Sequence, residues 1–186
     1  MYDAMNMWIG MATGDIVGIL NADNTYADGE VLLRVGEILV RTRRDSSYGG
    51  LNYVDQDDGS RVVRRWRSGP FRSDAFCWGW MPPHPTFFVR RYVYERFGGF
   101  RLDLGTAADY ELMLRLLVKQ RISCVYVPHV LVRMRTGGRG NVSLVARLRA
   151  NRMDRRAWTV NDVTPYPWTI PLKPVRKLRQ FWVGWS

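Results

Sequence analysis

Asp15-Ile16-Val17-Gly18-Ile19-Leu20-Asn21-Ala22-Asp23-Asn24 is an unbroken apolar run that stops abruptly at a polar cluster holding one carboxylate. A run of this kind lacks the alternation of a half-solvated strand. It predicts a strand over 16–20 covered on both faces, as in a parallel sheet flanked by helices. Ligands gather at the carboxyl ends of strands in such sheets, so the strand would deliver Asp23 to a site. The simpler reading is a turn, because Asn21, Asp23 and Asn24 all favour turns through local hydrogen bonding.

Working outward, the residues before this run carry apolar side chains at 4, 5, 8, 9 and 12, the spacing of one helical face, with Asp3 placed to cap the helix and Gly14 to end it. After it, Asp28 is expected to cap a second helix with a stripe of Val31, Leu32, Val35, Ile38 and Leu39. Two strands, 47–54 and 61–66, flank an Asp-Gly turn, which is a hairpin signal. Residues 67–85 lack periodicity but are rich in Gly, Pro and aromatics, which predicts an ordered, functional loop. A short strand at 86–89 leads into a helix over 91–97. Asp109 opens a further helix, with Leu112, Met113, Leu116 and Leu117 on its buried side. A β-rich run over 122–127 is expected to stop at Pro128. Beyond it lie a Gly-rich turn at 136–140, a basic helix over about 141–158 and a tail rich in Pro, Trp and Arg. This pattern divides the chain into a core over 1–135 and a basic, aromatic-rich extension over 136–186.

The 186 residues, 46% of them apolar, suffice for one well-filled core. No run reaches the roughly 18 apolar residues of a membrane span, and no signal peptide pattern opens the chain, so a cytoplasmic location is expected. Cys77 and Cys124 lack the spacing of a zinc site or a CxxC pair and read as free thiols. The net charge of +11 favours polyanions in general. Nearly all of it is arginine spread along the chain, so nucleic acid is not the expected partner; nucleotide diphosphates and anionic lipid headgroups are better candidates.

Four segments in order resemble family-two glycosyltransferases of the GT-A fold: Tyr2-Asp3-Ala4-Met5-Asn6, the Gly14-Asp15 step into Leu20-Asn21-Ala22-Asp23-Asn24, Pro82-Pro83-His84-Pro85-Thr86-Phe87-Phe88, and Ala108-Asp109-Tyr110-Glu111-Leu112-Met113-Leu114-Arg115. The resemblance covers the chain to about residue 150. It implies a partial GT-A α/β fold, a three-layer Rossmann-like sandwich with a mixed sheet. It also implies that the amino-terminal units holding the nucleotide are missing. Asn21-Ala22-Asp23 stands where many relatives carry two or more carboxylates.

The resemblance implies an inverting transfer of a sugar from a nucleotide-diphosphate donor to a saccharide or lipid-linked acceptor, in surface polysaccharide or glycolipid synthesis. Charge building on the departing diphosphate needs a divalent metal, Mg2+ or Mn2+, and Asp23 is the expected protein ligand. Asn21, Asn24, Asp3, Arg135 and Arg139 are the expected donor-binding residues. The acceptor hydroxyl must lose a proton, and Asp109 matches the catalytic base; an ordinary helix cap is its alternative role. His84, Trp80 and Glu111 are the expected acceptor-side residues, although Glu111 also suits a supporting pair with Arg115 one turn on. This scheme requires Asp23 and Asp109 to converge on one cleft.

Two other classes compete: a catalytically inactive glycosyltransferase fragment, and a basic module binding membrane or nucleic acid. The tail bears on the membrane idea, because Pro165, Tyr166, Pro167, Trp168 and Ile170 followed by Lys173, Arg176, Lys177, Arg179, Phe181, Trp182 and Trp185 combine interfacial aromatics with positive charge. Peripheral contact with an anionic bilayer is the expectation it raises.

Overall fold

The structure is a computed structural model that describes residues 1–136, 144–178 and 180. It is an α/β fold around one six-stranded mixed sheet. In chain order the elements are α1 (Tyr2–Met11), β1 (Ile16–Gly18), β2 (Asn24–Tyr26), α2 (Val31–Thr42), β3 (Ser46–Val54), β4 (Val62–Trp66), β5 (Phe88–Arg90), α3 (Arg91–Phe97), α4 (Ala108–Leu114), β6 (Cys124–Arg135), α5 (Leu144–Thr159) and α6 (Thr169–Leu178). The strands lie in the order β1-β5-β3-β6-β2, with β4 paired to the outer half of β3. Only β3 and β6 pair in parallel; every other neighbour is antiparallel.

The opening run is placed differently from the reading above. It yields three residues of strand rather than five, at an edge, paired only with β5 and antiparallel to it. Its apolar character is still explained, because Val17 belongs to the core on one face of the sheet while Ile16 packs against the cluster on the other. That second cluster is built on Val31, Val35 and Leu39 of α2. The first, larger one is supplied by Met5 of α1, Val93 and Tyr94 of α3 and most of α4. Helices therefore cover both faces, as a doubly buried apolar strand requires.

Pro128 does not end the last strand, and β6 runs through it to Arg135. Pairing slips there: Tyr48 faces Tyr126 but Gly50 faces Val130, so a bulge takes up the residue that has no N–H to give. Gly49 permits this, since a Cβ on it would lie 2.5 Å from Leu131 Cγ and 2.8 Å from the His129 carbonyl oxygen.

Other local expectations shift for simple reasons. Met1, not Asp3, precedes the first helical residue, and Asp3 lies exposed in the first turn. Glu30 occupies the cap position of α2, while Asp28 accepts the Glu30 N–H at 2.9 Å from two residues upstream. The segment over 67–85 is folded around its aromatics: Phe76 and Trp80 are core residues, and a short 3₁₀ turn spans Ala75–Trp78. The tail forms α6 with Pro174 inside it. Ala157, Trp158 and Ile170 from the extension are buried in the same core as α4.

Candidate active site

Strands β1, β3 and β6 run in the same direction, so their carboxyl ends share one edge of the sheet. Two groups of side chains are carried to that edge.

The first surrounds Asp23. The Asn21 carbonyl accepts the Asn24 N–H at 3.0 Å, so the polar cluster does form a turn, and the turn feeds directly into β2. Asp23 is exposed at its tip, and the Arg135 N–H reaches the Asp23 carbonyl oxygen at 3.5 Å from the end of β6. The guanidinium of Arg135 reaches the Gln56 carbonyl oxygen at 3.5 Å. Asn24 is buried, and among the described residues neither atom of its side-chain amide has a hydrogen-bond partner, a costly arrangement for a buried polar group. Arg139 and the rest of the Gly-rich turn after Thr136, and Arg179, Phe181, Trp182 and Trp185 of the tail, lie outside the described residues. Among the described residues no three His, Cys, Asp or Glu side chains cluster as a metal-binding group.

The second group surrounds Asp109, in the first turn of α4. Its Oδ1 accepts the Tyr110 N–H at 2.8 Å, so the carboxylate sits among the free N–H groups of a helix start. His84 stands close enough for the two charges to interact, in a short 3₁₀ turn between the loop and β5. Burial pushes its imidazole below the ordinary histidine value, and the negative charge of Asp109 partly opposes the shift. The Tyr2 phenol is raised by burial first and by the Asp109 charge second. Phe100 backs both groups, with its ring 5.1 Å from Tyr2 and 5.5 Å from His84.

Two motif residues outside the expected set hold this arrangement together. Asn6 accepts the Phe100 N–H at 2.7 Å and donates to the Phe100 carbonyl at 2.9 Å, clamping α1 to the loop before α4. Arg115 donates to the carbonyls of Phe97, Gly98 and Gly99, fixing the same loop from the other side. Tyr2 and Asn6 both fell inside a quoted motif, but only the fold shows which side chains they meet.

Asp109 and Trp80 line a cavity of about 1050 Å³ together with Trp66, Trp78, Tyr110 and Lys173. Trp80 is largely buried, donates its indole N–H to the Ser68 carbonyl at 2.9 Å and packs against the rings of Tyr48, Phe71 and Phe76. The far wall comes from the extension. Lys173 lies 3.5 Å from the centre of the Tyr110 ring and pairs with Asp154. Close packing of α6 here depends on Gly79, at φ +71, where a Cβ would stand 2.8 Å from the Lys173 backbone nitrogen. Glu111 is fully buried and does not line the cavity; it is taken up by Arg115 and Asn161. Asp23 is not among the residues of this wall either. The structure thus sets His84 beside Asp109, puts Asp109 and Trp80 in one cavity wall, places Asp23, Asn24 and Arg135 together, and sets Asp3 beside Tyr2 on α1; the convergence of Asp23 and Asp109 on one cleft is not seen in this cavity, which Asp109 lines and Asp23 does not.

This architecture is shared with solved proteins. It aligns over 95% of its length with a mannosyltransferase from Pyrobaculum calidifontis in complex with GDP-Man and Mn2+, at a TM-score of 0.53 and 17% identity, covering 48% of that chain. It aligns over 98% of its length with TarS of S. aureus, at a TM-score of 0.56 and 10% identity, covering 31% of that chain. No family model matches the sequence.

Among curated proteins, an uncharacterized glycosyltransferase of Mycobacterium tuberculosis is 32% identical over 115 residues, 61% of this chain and 43% of the relative. A PGL/p-HBAD biosynthesis glycosyltransferase of Mycobacterium bovis is 26% identical over 136 residues, 71% of this chain and 49% of the relative. The chain spans less than half the length of these two relatives.

Proposed function

We propose that this chain carries the acceptor-side and catalytic part of an inverting family-two glycosyltransferase, moving a sugar from a nucleotide-diphosphate donor to a saccharide or lipid-linked acceptor in polysaccharide or glycolipid synthesis. The observation that carries the reading is the setting of Asp109, a helix-start carboxylate in the wall of a large cavity with His84 and Tyr2 against it. The likeness to glycosyltransferases in both sequence and fold supports it.

In this reading Asp109 accepts the proton of the acceptor hydroxyl as that oxygen attacks the sugar. The Tyr110 N–H on Oδ1 keeps the carboxylate oriented. His84, held neutral by its burial, adds no competing positive charge beside the base. Asn21, Asn24, Asp3, Arg135 and Arg139 are assigned to the donor.

A divalent ion, Mg2+ or Mn2+, fits a site made by Asp23 and the donor's own phosphates, because such ions often take one or two protein carboxylates and leave the rest to substrate oxygen. When bound, it neutralises charge on the diphosphate. The exposed Asp23 carboxylate beside the unpartnered Asn24 amide is the part of the chain that suits it.

We place the acceptor end at an anionic bilayer. Trp78, Tyr166 and Trp168 form an exposed aromatic cluster with ring centres 5.0 to 6.0 Å apart, followed by exposed Pro171 of α6; Val175 and Arg176, further along, are exposed but line the Asp109 cavity. Aromatics mixed with arginine suit the headgroup region.

The deciding experiment is transfer from a radiolabelled nucleotide sugar to an acceptor extract by the natural chain and by Asp109→Asn. Transfer is expected to fall about a hundredfold or more while donor binding persists; unchanged turnover overturns the assignment of the base.

A further inference from the structure

We infer that the Asp109 cavity contains an oxyanion subsite formed by Arg65 and Arg67, with Arg176 opposite, and that the acceptor carries a phosphate or carboxylate group near the hydroxyl that reacts. This deepens the transferase reading and rests on it for the identity of the ligand as an acceptor.

The charge in the wall is unbalanced. Arg65, Arg67, Lys173 and Arg176 line the cavity against two carboxylates, Asp109 and Asp154. Lys173 is already paired with Asp154. Three guanidinium groups then face the single charge of Asp109, and among the described residues none of the three makes an ion pair.

Arg65 is the sharper observation. Its Nε is buried and has no hydrogen-bond partner among the described residues, although a charged donor taken out of water normally finds one. Its neighbour shows the ordinary solution: Arg64 lies over the Tyr53 ring and donates to Gln180. Arg65 alternates to the other side of β4, and Arg67 follows the same alternation two residues on, just past the end of the strand. An oxyanion that offers two oxygens to a guanidinium fork, a carboxylate or a phosphate, is the partner that matches these groups. A neutral sugar would leave three such groups uncompensated beside it.

The source of the oxyanion is either a lipid-linked phosphate or a sugar acid, and the test separates them. Full-length protein is titrated with inorganic phosphate and, separately, with glucuronate, following the fluorescence of Trp66, Trp78 and Trp80 in the cavity wall. Saturable binding is expected with at least one probe: phosphate alone identifies a phosphate-bearing acceptor, glucuronate alone a sugar acid, and both a subsite tolerant of either. The double variant R65Q/R67Q is expected to weaken that binding about tenfold or more, whereas Arg41→Gln, exposed on α2, leaves it unchanged. Because Arg65 sits in a sheet strand, Arg67→Gln alone is measured as well, with its fold checked by circular dichroism, and a severalfold loss is expected. No saturable binding of either probe, or equal affinity in the arginine variants and the Arg41→Gln control, overturns the subsite. The readout needs no turnover, so a failed subsite is distinguished from a failed transferase reading, which the Asp109→Asn assay tests by itself.

Discussion

The Glu111 carboxylate, with none of its surface exposed, receives the Arg115 guanidinium at 2.9 Å from the next turn of the same helix. Asn161 Nδ2 adds a second hydrogen bond at 3.0 Å, and the rest of the Arg115 fork is spent on the loop that carries Phe100. Glu111 is thereby a frame residue, two positions from Asp109 but separated from the cavity. The helix loosens into a π-turn over Arg115–Lys119, as helices often do near functional positions.

Removing one partner of such a pair leaves the other charge buried without compensation. Glu111→Ala is expected to destabilise the fold by about 3–5 kcal/mol, read from urea unfolding. Glu111→Gln keeps the shape and the Asn161 contact and should cost less. If Glu111 met the acceptor, the Gln variant would raise the acceptor KM; an unchanged KM with a lower unfolding midpoint is the outcome expected here.

The sequence showed most of the fold where one element decides its own shape. The stripe of α2, the Asp-Gly hairpin of β3 and β4, and the apolar side of α4 were all legible because period and turn chemistry are local. Pairing partners were not. The run over 16–20 looked interior because apolar residues on both faces read the same at an edge, and nothing local says that β5 is its neighbour. Pro128 looked terminal because the two glycines that let β6 bulge past it sit nearly 80 residues earlier. At the site, Asp109 and His84 were named from motifs and the fold does set them together. The arginines of β4 were passed over, because a charged strand residue looks solvated until α6 is seen closing the cavity opposite it.

Asp45 supplies a pH signature independent of any activity. Burial tends to raise its carboxyl, but hydrogen bonds from the Tyr92 hydroxyl and from the Ser123 N–H and hydroxyl, both at 2.7 Å, with Arg90 nearby, outweigh that and hold it below the ordinary carboxylate value. A lowered folded-state value means that the unfolded chain binds more protons at mildly acid pH. The associated stability is therefore present above about pH 4, the unfolded value, and is lost as pH falls through the folded one. Asp45→Asn should flatten the acid limb of a stability-against-pH curve; an identical limb would show that Ser123 and Tyr92 bind it no better than water.

Asp23 is the residue assigned to the metal in the proposed function, and its exposure makes the substitution structurally mild. Asp23→Ala is expected to leave the unfolding midpoint within about 0.5 kcal/mol of the natural chain, as for most surface changes. It should abolish the dependence of nucleotide-sugar binding on Mg2+ or Mn2+, measured by calorimetry with and without chelator. Retained dependence would move the ligand to another side chain.

The aromatic cluster around α6 makes a claim about place. Each of Trp78, Tyr166 and Trp168 keeps more than two fifths of its surface in solvent, unusual for three large rings in mutual contact. Among the described residues no helix is long and apolar enough to cross a membrane, so contact through this patch would be peripheral. Peripheral binding that joins aromatic insertion to arginine charge needs both components and is salt-sensitive. Co-sedimentation with vesicles containing phosphatidylglycerol should therefore exceed that with pure phosphatidylcholine, fall with added salt, and drop severalfold in Tyr166→Ala/Trp168→Ala. Charge alone would survive the loss of the rings, so equal pelleting of that variant would reduce the contact to nonspecific attraction by a chain of net charge +11.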